Sequence, residues 1–329
     1  MRQRYFGTTE LSASEIGFGT WALGSDWWGE VTEADGERLL NLAIELGITF
    51  FDTGDAYGKG ANEELVGRVL APHRDRLQIA TKFGYDLAAG RQQHSEGERP
   101  QRWDGPFVKQ ALEASLKRLG TDRVDLFQLH NPRLDAVQQD DCFAALEDLK
   151  AEGKLREYGV ALGPAIGWKE EGLEAISRRG IASVQTVYNL LEQDPGAELM
   201  AAAAEHGVGV MARVPTSSGL LDDNLTLETT FSGSDHRRHR KREWLVEGLE
   251  KIETIRFLCE EGSGRTMAQA AMRFILAQTQ IATVIPTITS EAELREYAAA
   301  AHAPELSDDE LARVGELYER NFGVEPQPV

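Results

Sequence analysis

Residues 48–58 read Ile-Thr-Phe-Phe-Asp-Thr-Gly-Asp-Ala-Tyr-Gly. The apolar run Ile48-Thr49-Phe50-Phe51 stops abruptly at Asp52, and Asp55 and Tyr57 follow between Gly54 and Gly58. A buried strand that ends in a carboxylate and enters a tight loop carrying a phenol presents polar groups at the rim of a barrel. Alone, the stretch leaves the blander readings open. An Asp closing a strand is often a helix cap, and a Tyr in a glycine-rich loop usually packs.

Outward from this stretch, short β-rich runs alternate with segments of helical period. Strands are expected at Ile16–Gly19, Thr49–Asp52, Leu77–Thr81, Val124–His130, Leu155–Ala161, Ser183–Tyr188, Gly209–Arg213 and Thr283–Pro286. Helices are expected at Ala34–Leu46, Glu63–Leu70, Val108–Leu119, Cys142–Glu152, Gly172–Arg179, Glu198–His206 and Thr266–Ala277, several of them stopping at a glycine such as Gly120 or Gly207. Alternation along the whole chain implies parallel strands with right-handed crossovers, and eight such units favour a closed (β/α)8 TIM barrel in the α/β class. No Pro/Ser-rich linker divides the chain, so residues 1–329 are expected to form one domain. An N-terminal lead, Met1–Ser14, reads as a hairpin under the barrel floor. Long loops at 86–106 and 220–243 follow strand C-termini, the face where barrel enzymes work. A last amphipathic helix, Ser307–Tyr318, opens with a capping-box pattern.

Composition narrows the function classes. The 329 residues are 41% hydrophobic, enough for a large core, and 35 Lys and Arg against 54 Asp and Glu give a formal charge of −19. A uniformly acidic surface disfavours nucleic acid or an anionic membrane as partner, while leaving room for a local basic patch that meets an anionic cofactor. No apolar run of membrane-spanning length occurs, and Cys142 and Cys259 lie far apart in helix-like contexts, which fits a reducing cytoplasm. The seven His show no paired ligand spacing at a strand end, so a metal-dependent barrel hydrolase is disfavoured and no metal is expected.

Each of three successive strands carries a polar group at or just before its C-terminal end: Asp52, Lys82 and His130, with Tyr57 a few residues past the first. Neighbouring strand ends stand only about 5 Å apart, so these side chains would converge. A free phenol titrates near pH 10 and exchanges protons poorly at neutral pH. An ammonium beside it favours the phenolate, a carboxylate holds that ammonium charged, and an imidazole can bond the same substrate oxygen. Such a set suits protonating a carbonyl oxygen while hydride reaches its carbon, or the reverse. Any one of these residues is a weak signal; four at consecutive strand ends are a stronger one.

At this point the chain resembles the aldo-keto reductase superfamily. Gly17–Gly24 (GFGTWALG), Phe50–Gly58 (FFDTGDAYG), Ala80–Gly84 (ATKFG), Asp125–Pro132 (DLFQLHNP), Val184–Glu192 (VQTVYNLLE) and Val284–Pro286 look like that family's successive blocks, in family order. The resemblance implies a catalytic set of Asp52, Tyr57, Lys82 and His130 and a nicotinamide cofactor lying across the barrel mouth without a Rossmann domain. It places Gly19, Thr20 and Trp21 at the nicotinamide end, Gln185 on the carboxamide and Arg213 flat against the ring. It places Pro215, Ser217, Ser218, Gly219 and Leu220 in the pyrophosphate loop and Thr287, Ser290, Glu293 and Tyr297 at the adenosine end. Trp21, Trp28, Tyr57 and His130 would face the substrate.

Two departures from the family pattern bear on the cofactor. After Gly159-Val160 this chain has Ala161-Leu162 where relatives continue into Ser-Asn. The Thr287–Tyr297 stretch carries no cation before Arg295, where relatives commonly hold one for the 2′-phosphate of NADP. Glu293 repels such a phosphate but can accept from ribose hydroxyls, so NAD is expected to serve at least as well as NADP. The only dense basic run, Arg237, Arg238, Arg240, Lys241 and Arg242, reads either as a solvated helix start or as a clamp over the dinucleotide.

The expected function is therefore an NAD(P)-dependent oxidoreductase acting on CH–OH donors and carbonyls: aldehydes, ketones or sugars. It is expected as a monomer or small homo-oligomer. A cofactor-binding regulatory module, and a lyase or epimerase using a bound nicotinamide, are the alternatives.

Overall fold

The computed structural model describes residues 1–23, 31–89, 100–163, 168–233 and 235–325. Two short strands, β1 (Gln3–Tyr5) and β2 (Ser12–Ser14), pair antiparallel. The next eight are β3 (Phe18–Gly19), β4 (Phe50–Asp52), β5 (Gln78–Phe83), β6 (Val124–His130), β7 (Leu155–Ala161), β8 (Ser183–Val187), β9 (Gly209–Arg213) and β10 (Ile281–Ile285). They are parallel and hydrogen-bonded in chain order. Isolated parallel bridges from Ile16 to Val284 and from Gly19 to Thr287 bring the first strand to the last, giving a nearly closed (β/α)8 barrel. Glycine is needed at that seam, because a Cβ on Gly19 would come within 2.7 Å of the Pro286 carbonyl oxygen.

The strands form because they are short runs of apolar and β-branched residues whose side chains alternate between barrel lumen and helix layer. The inward set of Phe50, Ala80, Leu126, Met211 and Ala282 packs with Phe6, Leu11 and Ala13 of the N-terminal hairpin. The hairpin thus closes the floor of the barrel, as expected from Met1–Ser14. The outward set packs against helices whose buried faces follow the 3.6-residue period, such as Leu39, Leu40 and Ala43 of Glu33–Glu45. Each leucine so buried contributes about 1.5–3 kcal/mol. Caps set the helix ends: Thr32, Thr266, Ser290 and Ser307 each make a capping box, and Gly120 and Gly207 end their helices at φ +62° and +68°.

Two helices of nine residues or more stand outside the sequence expectation, Arg242–Thr254 and Glu291–Ala299. Trp103 lies in the expected long loop, yet its side chain is part of the core. It lies edge-on to Phe83 at 5.8 Å, against Gly84, where a Cβ would come within 2.2 Å of the indole. No described helix is long and apolar enough to cross a membrane.

Candidate active site

The carboxyl ends of β4, β5 and β6 place the central groups. Asp52 ends β4, and its backbone pairs with Ala80; two residues on, on the same side of β5, is Lys82, which pairs in turn with Gln128 of β6. Lys82 Nζ donates to Asp52 Oδ2 at 2.6 Å and to the Thr53 carbonyl at 2.7 Å. Gln128 Nε2 donates to the other carboxylate oxygen, Asp52 Oδ1, at 3.0 Å. The pair is sealed from water, with Lys82 1% and Asp52 4% exposed. Burial disfavours the ammonium, but Asp52 and Tyr57 outweigh it and hold the Lys82 pKa above its ordinary value.

Tyr57 opens the single turn Tyr57–Gly60 that follows β4. The Lys82 ammonium stands 4.9 Å from the centre of its ring. Burial pushes the phenol up from its usual value, while Lys82 and, more weakly, Arg213 pull it down. The His130 imidazole meets the Tyr57 ring edge-on at 5.8 Å and the Tyr85 ring edge-on at 5.0 Å. Asn131 Nδ2 donates to the Tyr85 hydroxyl at 2.8 Å, and Gln101 holds the backbone carbonyls of both His130 and Asn131. The four groups singled out from the sequence are thus gathered at one place, with Gln128, Tyr85 and Asn131 as partners the sequence reading did not name.

A cavity of about 780 Å³ opens over this cluster, within the usual range for small-molecule sites. Asp52, Tyr57 and His130 line it, as do Gly19, Trp21, Gln185, Arg213 and Pro215; farther along are Thr287, Glu293 and Tyr297. The Gln185 Nε2 amide is buried there without a hydrogen-bond partner, a donor that a ligand carbonyl would satisfy. Arg213 Nη2 donates to the Leu162 carbonyl at 3.0 Å, and the Leu162 N–H donates to the Gln185 carbonyl at 2.9 Å. The departing Ala161-Leu162 corner therefore ties Arg213 to β8.

Five residues expected around the cofactor do not line the cavity, each for a visible reason. The Thr20 hydroxyl is turned inward, 2.6 Å from Asn62 Oδ1. Ser217 Oγ donates to Glu192 Oε2 at 3.1 Å. Gly219 lies under the Arg237 guanidinium, and Leu220 is buried against Gly248. Ser290 caps Glu291–Ala299. Ser218, expected in the same loop, does line the wall. The N–H groups of Ser217, Gly219, Leu220 and Leu221 bond within their own turn. Trp28, with Trp27, lies outside the described residues.

The basic run does reach the cavity. His236, Arg237 and Arg240 line it; His236 sits edge-on to Trp21 at 5.4 Å, and Arg237, paired with Asp235 at 2.7 Å, also reaches the Ser218 carbonyl. At the far end Tyr297 donates to Asp222 Oδ1 at 3.0 Å. Burial drives the Asp222 carboxyl up to about 7, against that bond. Glu293 Oε2 accepts from the Thr289 N–H and hydroxyl at 2.7 and 2.8 Å as part of the helix cap. Arg295 is exposed and points to Glu291 at 3.7 Å.

Comparison with known proteins finds similar chains over nearly the whole sequence. The sequence profile of the Aldo/keto reductase family matches residues 15–319. An uncharacterized oxidoreductase of Bacillus subtilis, YqkF, is 31% identical over 315 residues, 94% of either chain. Among solved structures, the holo form of the aldo-keto reductase AKR11C1 from Bacillus halodurans superposes with a TM-score of 0.78 at 29% identity, covering 96% of both chains. The glycerol dehydrogenase AKR11B4 from Gluconobacter oxydans superposes with a TM-score of 0.81 at 25% identity, covering 99% of this chain and 98% of its own.

Proposed function

The chain belongs to the aldo/keto reductase family, and from that membership we propose that it is a nicotinamide-dependent oxidoreductase that interconverts a carbonyl and an alcohol with Tyr57 as general acid and base. The observation that carries the reading is the buried ammonium of Lys82, held by Asp52 on one side and facing the Tyr57 phenol on the other. The cavity suits the dinucleotide in size, in the unpartnered Gln185 amide and in the Arg237 and Arg240 side chains on its wall. When bound, the dinucleotide supplies hydride to the substrate carbon or takes it up.

The rest of the reaction belongs to the chain's own side chains. In reduction Tyr57 gives its phenolic proton to the substrate oxygen; in oxidation the phenolate takes the proton back. Lys82 stabilises that phenolate, and Asp52 and Gln128 keep the ammonium charged and aimed. His130, fixed between Tyr57 and Tyr85, bonds the same substrate oxygen and orients it. Arg237, Arg240 and Ser218 would hold the pyrophosphate, and Gln185 the carboxamide. NAD serves at least as well as NADP, because Asp222 and Glu293 line the far end and Arg295, the cation of the Thr287–Tyr297 stretch, points to Glu291 instead.

A panel of aldehydes, ketones, sugars and their alcohols, followed by reduced-nicotinamide absorbance, tests the proposal. Stoichiometric consumption of reduced cofactor with alcohol formation is expected. Product formation without net consumption would instead mark a lyase or epimerase, and cofactor binding without turnover of any panel member a regulatory module.

A further inference from the structure

Arg213 closes β9, and its Nη2 donates to the Leu162 carbonyl. Its Nε is buried without a partner, and among the described residues it makes no ion pair. Neither nearby carboxylate, Asp52 or Glu192, is paired with it among the described residues. Asp52 is taken by Lys82 and Gln128, and Glu192 Oε2 by Asn189 and Ser217 at 2.9 and 3.1 Å. A guanidinium with no ion pair among the described residues, offset by Asp52 and Glu192 only from beyond ion-pair distance, therefore faces the same cavity as Tyr57. The two groups feel each other's charge, since Arg213 pulls the phenol down and Tyr57 favours the charged guanidinium.

The reaction fixes what must lie next to them. Hydride transfer needs donor and acceptor carbons about 3–3.5 Å apart, and the acceptor carbon is one bond from the oxygen that Tyr57 serves. The reacting ring is thus confined to the part of the cavity near Tyr57, where the charge of Arg213 on the same wall is felt. That ring is neutral when reduced and carries a positive charge when oxidised, while the rest of the dinucleotide is identical in both states.

We propose that Arg213 makes this site discriminate between the redox states of its cofactor, binding the neutral reduced form more tightly than the cationic oxidised form. The inference rests on the function proposed above. Like charges in a partly buried site repel with enough strength for about a tenfold difference in Kd. A tenfold preference raises the midpoint potential of the bound two-electron couple by about 30 mV. It also keeps the protein loaded with reduced cofactor when the oxidised form is in excess.

Binding titrations, by tryptophan fluorescence or calorimetry, test this without turnover. NAD+ and NADH are titrated into the wild-type chain, Arg213→Met, Arg213→Gln and Arg213→Lys. The preference for NADH over NAD+ should fall about tenfold in whichever of the Met and Gln variants folds, and Lys, which keeps the charge, should preserve most of it. A change below about threefold in the neutral variants, or an equal loss in Arg213→Lys, overturns the inference while leaving the proposed function standing. Failure of the wild-type chain to bind any nicotinamide dinucleotide, phosphorylated or not, overturns the proposed function itself.

Discussion

Lys82 Nζ stands 2.6 Å from Asp52 Oδ2, and the two side chains are 1% and 6% exposed. A charge pair so deeply buried is costly unless its remaining hydrogen-bonding capacity is filled. Here the Thr53 carbonyl takes a second ammonium proton and Gln128 takes the second carboxylate oxygen. The ammonium left facing Tyr57 is therefore fixed in place before any substrate arrives.

Replacing Lys82 by Met removes the group that opposes burial at Tyr57. Turnover should drop about 10²–10⁴-fold. In the oxidation direction the pH–rate profile should move its rising limb to higher pH, because the phenol then titrates higher. The same change strands the Asp52 carboxylate and should cost about 3–5 kcal/mol of stability, most of which the double variant Lys82→Met/Asp52→Asn should recover. Denaturant melts of the two variants check this; equal destabilisation of both would show that the pair is not coupled as described.

Asp55 gives a pH signature in stability. It is 3% exposed, its Oδ1 has no hydrogen-bond partner, and burial, reinforced by nearby Glu63 and opposed by Arg118, raises its carboxyl to about 8. The unfolded chain titrates it near 3.9. Between those values the native state holds the extra proton, so the stability it confers is complete below about pH 4 and is lost as pH rises through about 8. The slope approaches about 1.4 kcal/mol per pH unit in between. Asp55→Asn stays neutral, so its stability relative to wild type should climb from pH 5 to pH 8. A constant gap across that range in thermal melts would contradict the assignment.

Glu293 serves both the helix cap and the far end of the cavity. Glu293→Gln keeps the capping box, since Gln fills that position as well, but removes the charge. The NADPH-to-NADH affinity ratio should shift toward NADPH by about threefold to tenfold, and further when Thr287→Lys is added. An unchanged ratio in cofactor titrations would mean that the adenosine end lies elsewhere.

The barrel is legible in the sequence because its strands are short apolar runs with β-branched and aromatic residues, punctuated by capped helices. Val124–His130, Leu155–Ala161 and Gly209–Arg213 agree with expectation to the residue. Lys82 stands out because a lone cation breaks such a run. Gln128 does not, although alternation sets Leu126, Gln128 and His130 on the lumen side; an uncharged polar residue inside a strand gives no local cue to the carboxylate it serves. Trp103 is lost for a similar reason: its neighbours read as loop, and only the approach of Gly84 and Phe83 makes it core. The hand of the basic run over the cavity, with His236 against Trp21 and Arg237 on Ser218, depends on how the chain between β9 and Arg242–Thr254 folds back. No periodicity encodes that return.

The central claim is that the Tyr57 phenol carries the proton, and Tyr57→Phe tests it most directly. The variant removes one oxygen and keeps the ring that packs against His130. Cofactor titration should give affinities within about threefold of wild type, while turnover of any substrate accepted by the wild-type chain falls at least about 10³-fold. Turnover within tenfold of wild type, at unchanged cofactor affinity, would contradict the account.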